Sequence, residues 1–184
     1  MNNFVLLDRD GVINYDSDTY IKTPDEFNII PSSLEAIQLL YNAGFKIIVI
    51  TNQSGLNRGY FSQSSLNAIH QKLHSVVESV GAKIEHIYIC PHTPDENCAC
   101  RKPKATLILQ AIDDYNINTK DLYFIGDKLA DIDSGQNAGI NSALVLTGKG
   151  QKTIKKHQLE IEGKAKIFST LLDFSAFILT PMEV

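Results

Sequence analysis

The sequence has no surplus of positive charge, no long apolar run, no internal repeat and no Gly/Ser/Pro-rich linker. Each absence removes a class of protein. With 17 Lys and Arg against 21 Asp and Glu, the formal net charge is −4, whereas a nucleic-acid surface needs a basic patch. Strictly apolar runs fall far short of the ~20 residues that cross a bilayer. No basic segment leads into an apolar stretch with a small-residue cleavage site, and a charged cluster begins at position 8, so no removable leader is expected. These features predict a cytoplasmic protein with no membrane or nucleic-acid partner. Cysteine is scarce and odd in number at 3, which in a cytosolic chain speaks against a disulfide framework.

The chain has 184 residues, of which 43% are apolar, a length that suits one domain burying about 70% of its unfolded surface. Strand-like runs recur at Phe4–Leu7, Phe45–Ile50, Ile84–Ile89, Leu122–Ile125 and Ala143–Leu146. Helical spacing separates them. A capping-box pattern, Ser32-Ser33-Leu34-Glu35, opens a helix that stops near Gly44; the next runs from about Ser62 to Gly81, with His70 and His74 expected on a solvated flank. Further helices are expected over Lys104–Tyr115 and Leu129–Ala138, and a last strand and helix within Ala165–Leu179. This alternation predicts an α/β fold, a Rossmann-like doubly wound parallel sheet in one domain over residues 1–184. Neither the segment after Asp10 nor that after Ser54 leaves room for a cap domain. Two stretches, Asn14–Pro31 and Pro91–Pro103, resist regular assignment, and loops of that length are usually functional.

In open parallel sheets ligands bind beyond the carboxyl ends of the strands, and here those ends are polar in a coherent way. The first run ends at Asp8-Arg9-Asp10-Gly11, the second at Thr51-Asn52-Gln53-Ser54, and the fourth at Gly126-Asp127-Lys128, with Asp131 one helical turn on. Arg101 and Lys102 follow the third. Carboxylates thus face hydroxyl, amide and cationic donors, which suits phosphoryl transfer. Asp8 and Asp127 can hold Mg²⁺, a hard ion that prefers oxygen, while Thr51 and Lys102 cradle phosphate oxygens. Asp8 is the expected nucleophile and Asp10 the expected acid and then base. Arg101, with Arg58, offers planar forks for a second anion. Asn52, Gln53, Ser54 and Lys128 complete the expected contacts. Asp16 to Tyr20 is expected to close over the substrate; Tyr60 and Phe61 are expected to fix entry to the following helix.

All three cysteines lie in Cys90-Pro-His-Thr-Pro-Asp-Glu-Asn-Cys98-Ala-Cys100. With His92 they form a closed Cys₃His set, the kind that tetrahedral Zn²⁺ uses for structure. The loop, residues 90–103, carries almost no apolar side chain to hold its shape. Free thiols with Cys90 as a buried strand end are the alternative.

The four strand-end motifs, DRDG, Thr51, Lys102 and GDKLAD, resemble in order those of the haloacid dehalogenase superfamily of phosphatases. That resemblance implies Mg²⁺ held by Asp8, the backbone carbonyl of Asp10, and Asp127. The C-x-H…C-x-C-R-K-P loop is similar to two branches, the D,D-heptose 1,7-bisphosphate phosphatases and the histidinol-phosphate phosphatases. LDRDGVIN, TNQSGLNRGYF, LNAIH and VLTGKG match the first better, and Ser54 stands where the second tends to carry Asp. The resemblance implies removal of the C7 phosphate of a heptose bisphosphate on the way to lipopolysaccharide or another surface glycan. Other classes remain to be weighed: a receiver-like phospho-acceptor, whose Asp ends a later strand, and a zinc-organised interaction module. A catalytic unit of this size is expected to act as a monomer on a small phosphorylated sugar.

Overall fold

The computed structural model describes residues 3–180. Strand β1 (Asn3–Leu7) is followed by α1 (Pro31–Asn42), β2 (Phe45–Asn52), α2 (Gln63–Ser79), β3 (Ile84–Cys90) and α3 (Thr106–Tyr115). Then come β4 (Tyr123–Gly126), α4 (Leu129–Asn137), β5 (Asn141–Val145), α5 (Gly150–Ile161), β6 (Ala165–Phe168) and α6 (Leu171–Leu179). The six strands form one sheet in the order β3-β2-β1-β4-β5-β6, parallel at every pairing. Successive units leave β1 in opposite directions, so a crevice opens over the carboxyl ends of β1 and β4.

Both faces of the sheet are covered, which is why the strands read as continuous apolar runs. Val5 and Leu7 point to the face packed by Ile37 and Leu40 of α1, Ile69, Leu73 and Val77 of α2, and Phe174 of α6. Phe4 and Leu6 point the other way, onto Leu107, Ile108 and Ala111 of α3. Ile132 of α4 and Ile161 of α5 close over Leu144 of β5. No domain is inserted after β1 or β2 among the described residues; each is followed by a loop and the next helix. No described helix is long and apolar enough to cross a membrane.

Three local readings needed correction. Helix α1 starts at Pro31 with Ile30 as its cap, and no side chain caps it. Ser33 Oγ instead donates to Val12 O at 2.6 Å, so the hydroxyl ties α1 to the loop after β1. His70 is buried rather than on a solvated flank. Helix α5 was not anticipated, because it holds few apolar residues and buries only Gly150, Thr153 and Ile161. Ser62 does cap α2 through the Ser65 N–H. Phe61 is buried while Tyr60 is exposed.

Phe174 sits at the centre of an aromatic group with Tyr123, Phe168 and Phe177 and is fully buried. Phe174→Ala is expected to cost about 3–5 kcal/mol, read as a lower denaturant midpoint, with the distant strand-end cleft intact.

Candidate active site

The loop after β1 coils tightly enough to present two carboxylates side by side. Arg9 O accepts from the N–H groups of Ile13 at 2.8 Å and Asn14 at 3.2 Å, and Gly11 takes the positive φ of +89° that the turn requires. Asp8 Oδ1 accepts from the Arg9 N–H at 2.8 Å and lies 2.9 Å from Lys102 Nζ. Lys102 Nζ also reaches Asp131 Oδ1 at 2.7 Å and Ile50 O at 3.0 Å, so its three donors are spent inside the protein. Burial pulls the lysine down, but Asp131 and Asp8 outweigh it and hold the ammonium above the usual lysine range. Burial raises Asp8 despite Lys102.

Asp127 closes the second side. Its Oδ2 accepts from the Lys149 N–H at 2.7 Å, while Oδ1 is buried with no hydrogen-bond partner. Glycines 11 and 148 pack against this carboxylate so closely that a Cβ on either would overlap Oδ2. Oxygens of Asp8, Asp127 and Asp131 lie within 4.8 Å of one another, and burial lifts Asp127 to about 7. An orphaned buried carboxylate oxygen among hard oxygen donors fits a divalent cation such as Mg²⁺.

Asp10 has a different environment. Its carboxylate accepts from Arg9 Nη2 at 2.8 and 2.9 Å and Nε at 3.1 Å, from Asn14 Nδ2 at 2.9 Å and from Gln53 Nε2 at 2.7 Å. Burial pushes its pKa up, but Arg9, Asn14 and Gln53 together hold it below the usual carboxylate range. The resting side chain is therefore ionised, not protonated as an acid would be at the start. Gln53 Nε2 also donates to Thr51 Oγ1 at 2.9 Å, which leaves the Thr51 hydroxyl proton free to point elsewhere.

A cleft of about 350 Å³ opens over these groups, lined by Asp8, Asp10, Asp16, Tyr20, Asn52, Gln53, Ser54, Arg101, Lys102, Lys128 and Asp131 among others. A larger groove lies at the amino ends of β4–β6 and contains none of the strand-end residues. Asn52 is partly spent: its amide clasps the Lys102 backbone, accepting from the N–H at 3.2 Å and donating to the carbonyl at 3.4 Å. Arg58 is exposed and does not line the cleft. Lys128 Nζ lies 3.5 Å from Asp16 and 3.6 Å from Asp127, and Lys149 Nζ pairs with Asp18. Asp131 Oδ2 accepts from the Lys128 N–H at 3.0 Å, capping α4.

Cys90, His92, Cys98 and Cys100 come together as expected. Sulfur separations are 3.2–3.6 Å, and His92 Nδ1 lies 3.7 Å from Cys90 Sγ and 3.3 Å from Cys100 Sγ. The thiols are free, and these spacings are close to the edges of a tetrahedron with metal–sulfur bonds of ~2.3 Å. Burial pushes the Cys90 thiol up to about 12, a cost that a bound cation would remove. Lys104 Nζ ties Asn97 and Cys98 O from below, and Arg101 Nη1 donates to His92 O at 3.0 Å.

A family model described as HAD-hydrolase-like matches residues 99–174. The D-glycero-beta-D-manno-heptose-1,7-bisphosphate 7-phosphatase of Neisseria meningitidis serogroup A is 42% identical over 175 residues, 95% of this chain and 94% of that protein. The protein of the same name from Pseudomonas putida is 45% identical over 152 residues, covering 83% and 87%. The chain belongs to the heptose-bisphosphate phosphatase family of haloacid dehalogenase-like hydrolases. The crystal structure of D,D-heptose 1,7-bisphosphate phosphatase from B. bronchiseptica, complexed with magnesium and phosphate, superposes with a TM-score of 0.92 at 38% identity, covering 96% of this chain and 98% of that one.

Within this family frame, sequence reasoning missed four participants: Arg9, Asn14, His70 and Lys149. Arg9 gave the plainest signal, an arginine trapped between two carboxylates, while Asn14, His70 and Lys149 stand in LDRDGVIN, LNAIH and VLTGKG without a role that the sequence could assign. The others reach the site from a turn, a helix interior and a late loop.

The raised pKa of Asp127 has a stability consequence. In the unfolded chain the group ionises near 3.8, in the folded chain near 7, so folding binds a proton between those values. Metal-free protein should lose stability as pH rises from about 4 to about 7, and millimolar Mg²⁺ should restore it at the upper end. Thermal denaturation across pH, with and without the ion, reads this directly; a contribution of Asp127 is identified by its loss in Asp127→Asn.

Proposed function

We propose that this chain removes the C7 phosphate of D-glycero-β-D-manno-heptose 1,7-bisphosphate, supplying a nucleotide-heptose pathway that feeds lipopolysaccharide or a related glycan. The observation that carries the reading is the buried constellation of Asp8, Lys102, Asp131 and Asp127 at the β1/β4 crevice, in a chain whose relatives are named for that reaction. Those names favour the heptose substrate over histidinol phosphate. The position of Asp8 at the end of the first strand sets aside a receiver-like domain.

Asp8, Asp127 and the Asp10 backbone carbonyl are the proposed holders of Mg²⁺, which when bound supplies positive charge between an anionic nucleophile and an anionic substrate. Asp8 attacks phosphorus; the new O–P bond forms as the bond to the C7 oxygen breaks. Lys102 stands 2.9 Å from Asp8 as a fixed charge that needs no reorganisation, and the Thr51 hydroxyl is free to donate to a phosphoryl oxygen. Asp10, ionised at rest, takes up a proton from solvent as the phosphate enters, passes it to the C7 alkoxide and later withdraws one from the water that splits the aspartyl-phosphate. An incoming phosphate dianion raises Asp10 by like-charge repulsion, the direction its acid role requires. Arg101 and Lys128 are proposed for the 1-phosphate, and Asp16, Tyr20 and Ser54 for the sugar. Cys90, His92, Cys98 and Cys100 hold a structural Zn²⁺ that fixes the loop presenting Arg101 and Lys102. A single-domain, cytoplasmic monomer is part of the same proposal.

Asp8→Asn should abolish phosphate release, whereas Asp10→Asn should slow kcat by about 10²–10⁴-fold and leave binding intact. A phosphate-release panel with both heptose bisphosphate anomers and histidinol phosphate tests the substrate; preference for histidinol phosphate, or wild-type release by Asp8→Asn, refutes the reading. Graded chelation of zinc should raise KM before the fold is lost, checked by metal content and steady-state kinetics on the same samples.

A further inference from the structure

Arg9 is nearly inaccessible to solvent, and although it lies within the DRDG motif it has no role in the reaction steps described above. A buried guanidinium is costly unless its donors are satisfied and its charge is paired. Asp10 takes Nε and Nη2. The remaining nitrogen, Nη1, lies 3.1 Å from Nε2 of His70, sixty-one positions later in α2. A guanidinium can only donate, so Nε2 must present a lone pair and the imidazole must be neutral with its proton on Nδ1. The surroundings agree: burial and the adjacent Arg9 charge hold His70 down at about 3.

The ring itself has a firm seat. His70 follows Ile69 and precedes Leu73 by three residues on the buried stripe of α2, and both are fully enclosed in the core. The guanidinium is therefore gripped at both ends, by a carboxylate at the cleft wall and by an imidazole anchored in the helix layer. Asp10 owes its orientation to this chain of contacts as well as to Asn14 and Gln53.

We propose that His70 is a positioning residue for the phosphatase reaction: its Nε2 fixes the Arg9 guanidinium, which in turn aims the Asp10 carboxylate into the cleft. The inference rests on the phosphatase reading above and adds to it a residue that touches neither substrate nor metal. It requires an acceptor at the ε position and no positive charge there.

The test compares His70→Leu, which removes the acceptor, with His70→Gln, which can present an amide oxygen in its place. Kinetics are measured at saturating Mg²⁺ with the heptose bisphosphate and with p-nitrophenyl phosphate, alongside melting temperatures. His70→Leu is expected to lower kcat about tenfold with KM little changed, and His70→Gln to recover most of that loss. In wild-type protein the ¹⁵N spectrum should show His70 with Nε2 unprotonated at neutral pH. Undiminished kcat in folded His70→Leu overturns the inference, as does a His70→Gln variant that folds but stays as slow as the leucine variant. If the leucine variant does not fold, the glutamine variant and the wild-type ¹⁵N spectrum decide, and a protonated Nε2 overturns it. A wild-type protein that hydrolyses neither substrate refutes the phosphatase reading itself, an outcome distinct from active wild type with indifferent variants.

Discussion

Lys102 is held out of water between Asp8 and Asp131, and the rest of the site is arranged around that buried charge. A single ammonium at 2.9 and 2.7 Å from two carboxylates lets three acidic residues converge where β1 and β4 end. Such a cluster contributes little to stability once desolvation is counted, and removing one partner exposes the full cost of the others. Its value lies in position. A charge fixed before the reaction begins does not have to be reorganised as negative charge moves from Asp8 to the departing oxygen.

That position depends on parts of the chain with little core of their own. Lys102 arrives on a loop with few apolar anchors, secured at one end by the Cys90–His92–Cys98–Cys100 cluster and along its length by the Asn52 clasp and the Lys104 strap. Asn57 adds a hydrogen bond at 2.9 Å to Glu96 of the same loop. The sheet supplies the rigid floor, and the loop supplies the cation from above. Two distinct devices, apolar packing below and a ligand cluster above, set one distance.

The architecture was legible because a doubly covered parallel sheet writes its strands as apolar runs and its ligand site as the polar residues that end them. Asp8, Asp10, Thr51, Lys102 and Asp127 could all be found that way, and the cysteine spacing announced its own cluster. What escaped has a common cause. Amide and guanidinium partners are fixed by tertiary contact, so Asn52 and Gln53 looked like free substrate donors when their hydrogens are largely spent on Lys102, Asp10 and Thr51. Helical periodicity placed His70 near an apolar stripe but could not say that a buried arginine waits there. Arg58 lies exposed outside the cleft lining, and α5 holds too few apolar residues to stand out in the sequence.

Lys149 binds two neighbourhoods at once: its amide serves Asp127 and its ammonium serves Asp18 on the rim. The amide is fixed by the backbone, whereas the flexible four-carbon stem lets the ammonium follow an exposed carboxylate. The rim at Asp18 can therefore swing without disturbing the deep Asp127, so an adjustable edge surrounds a set floor.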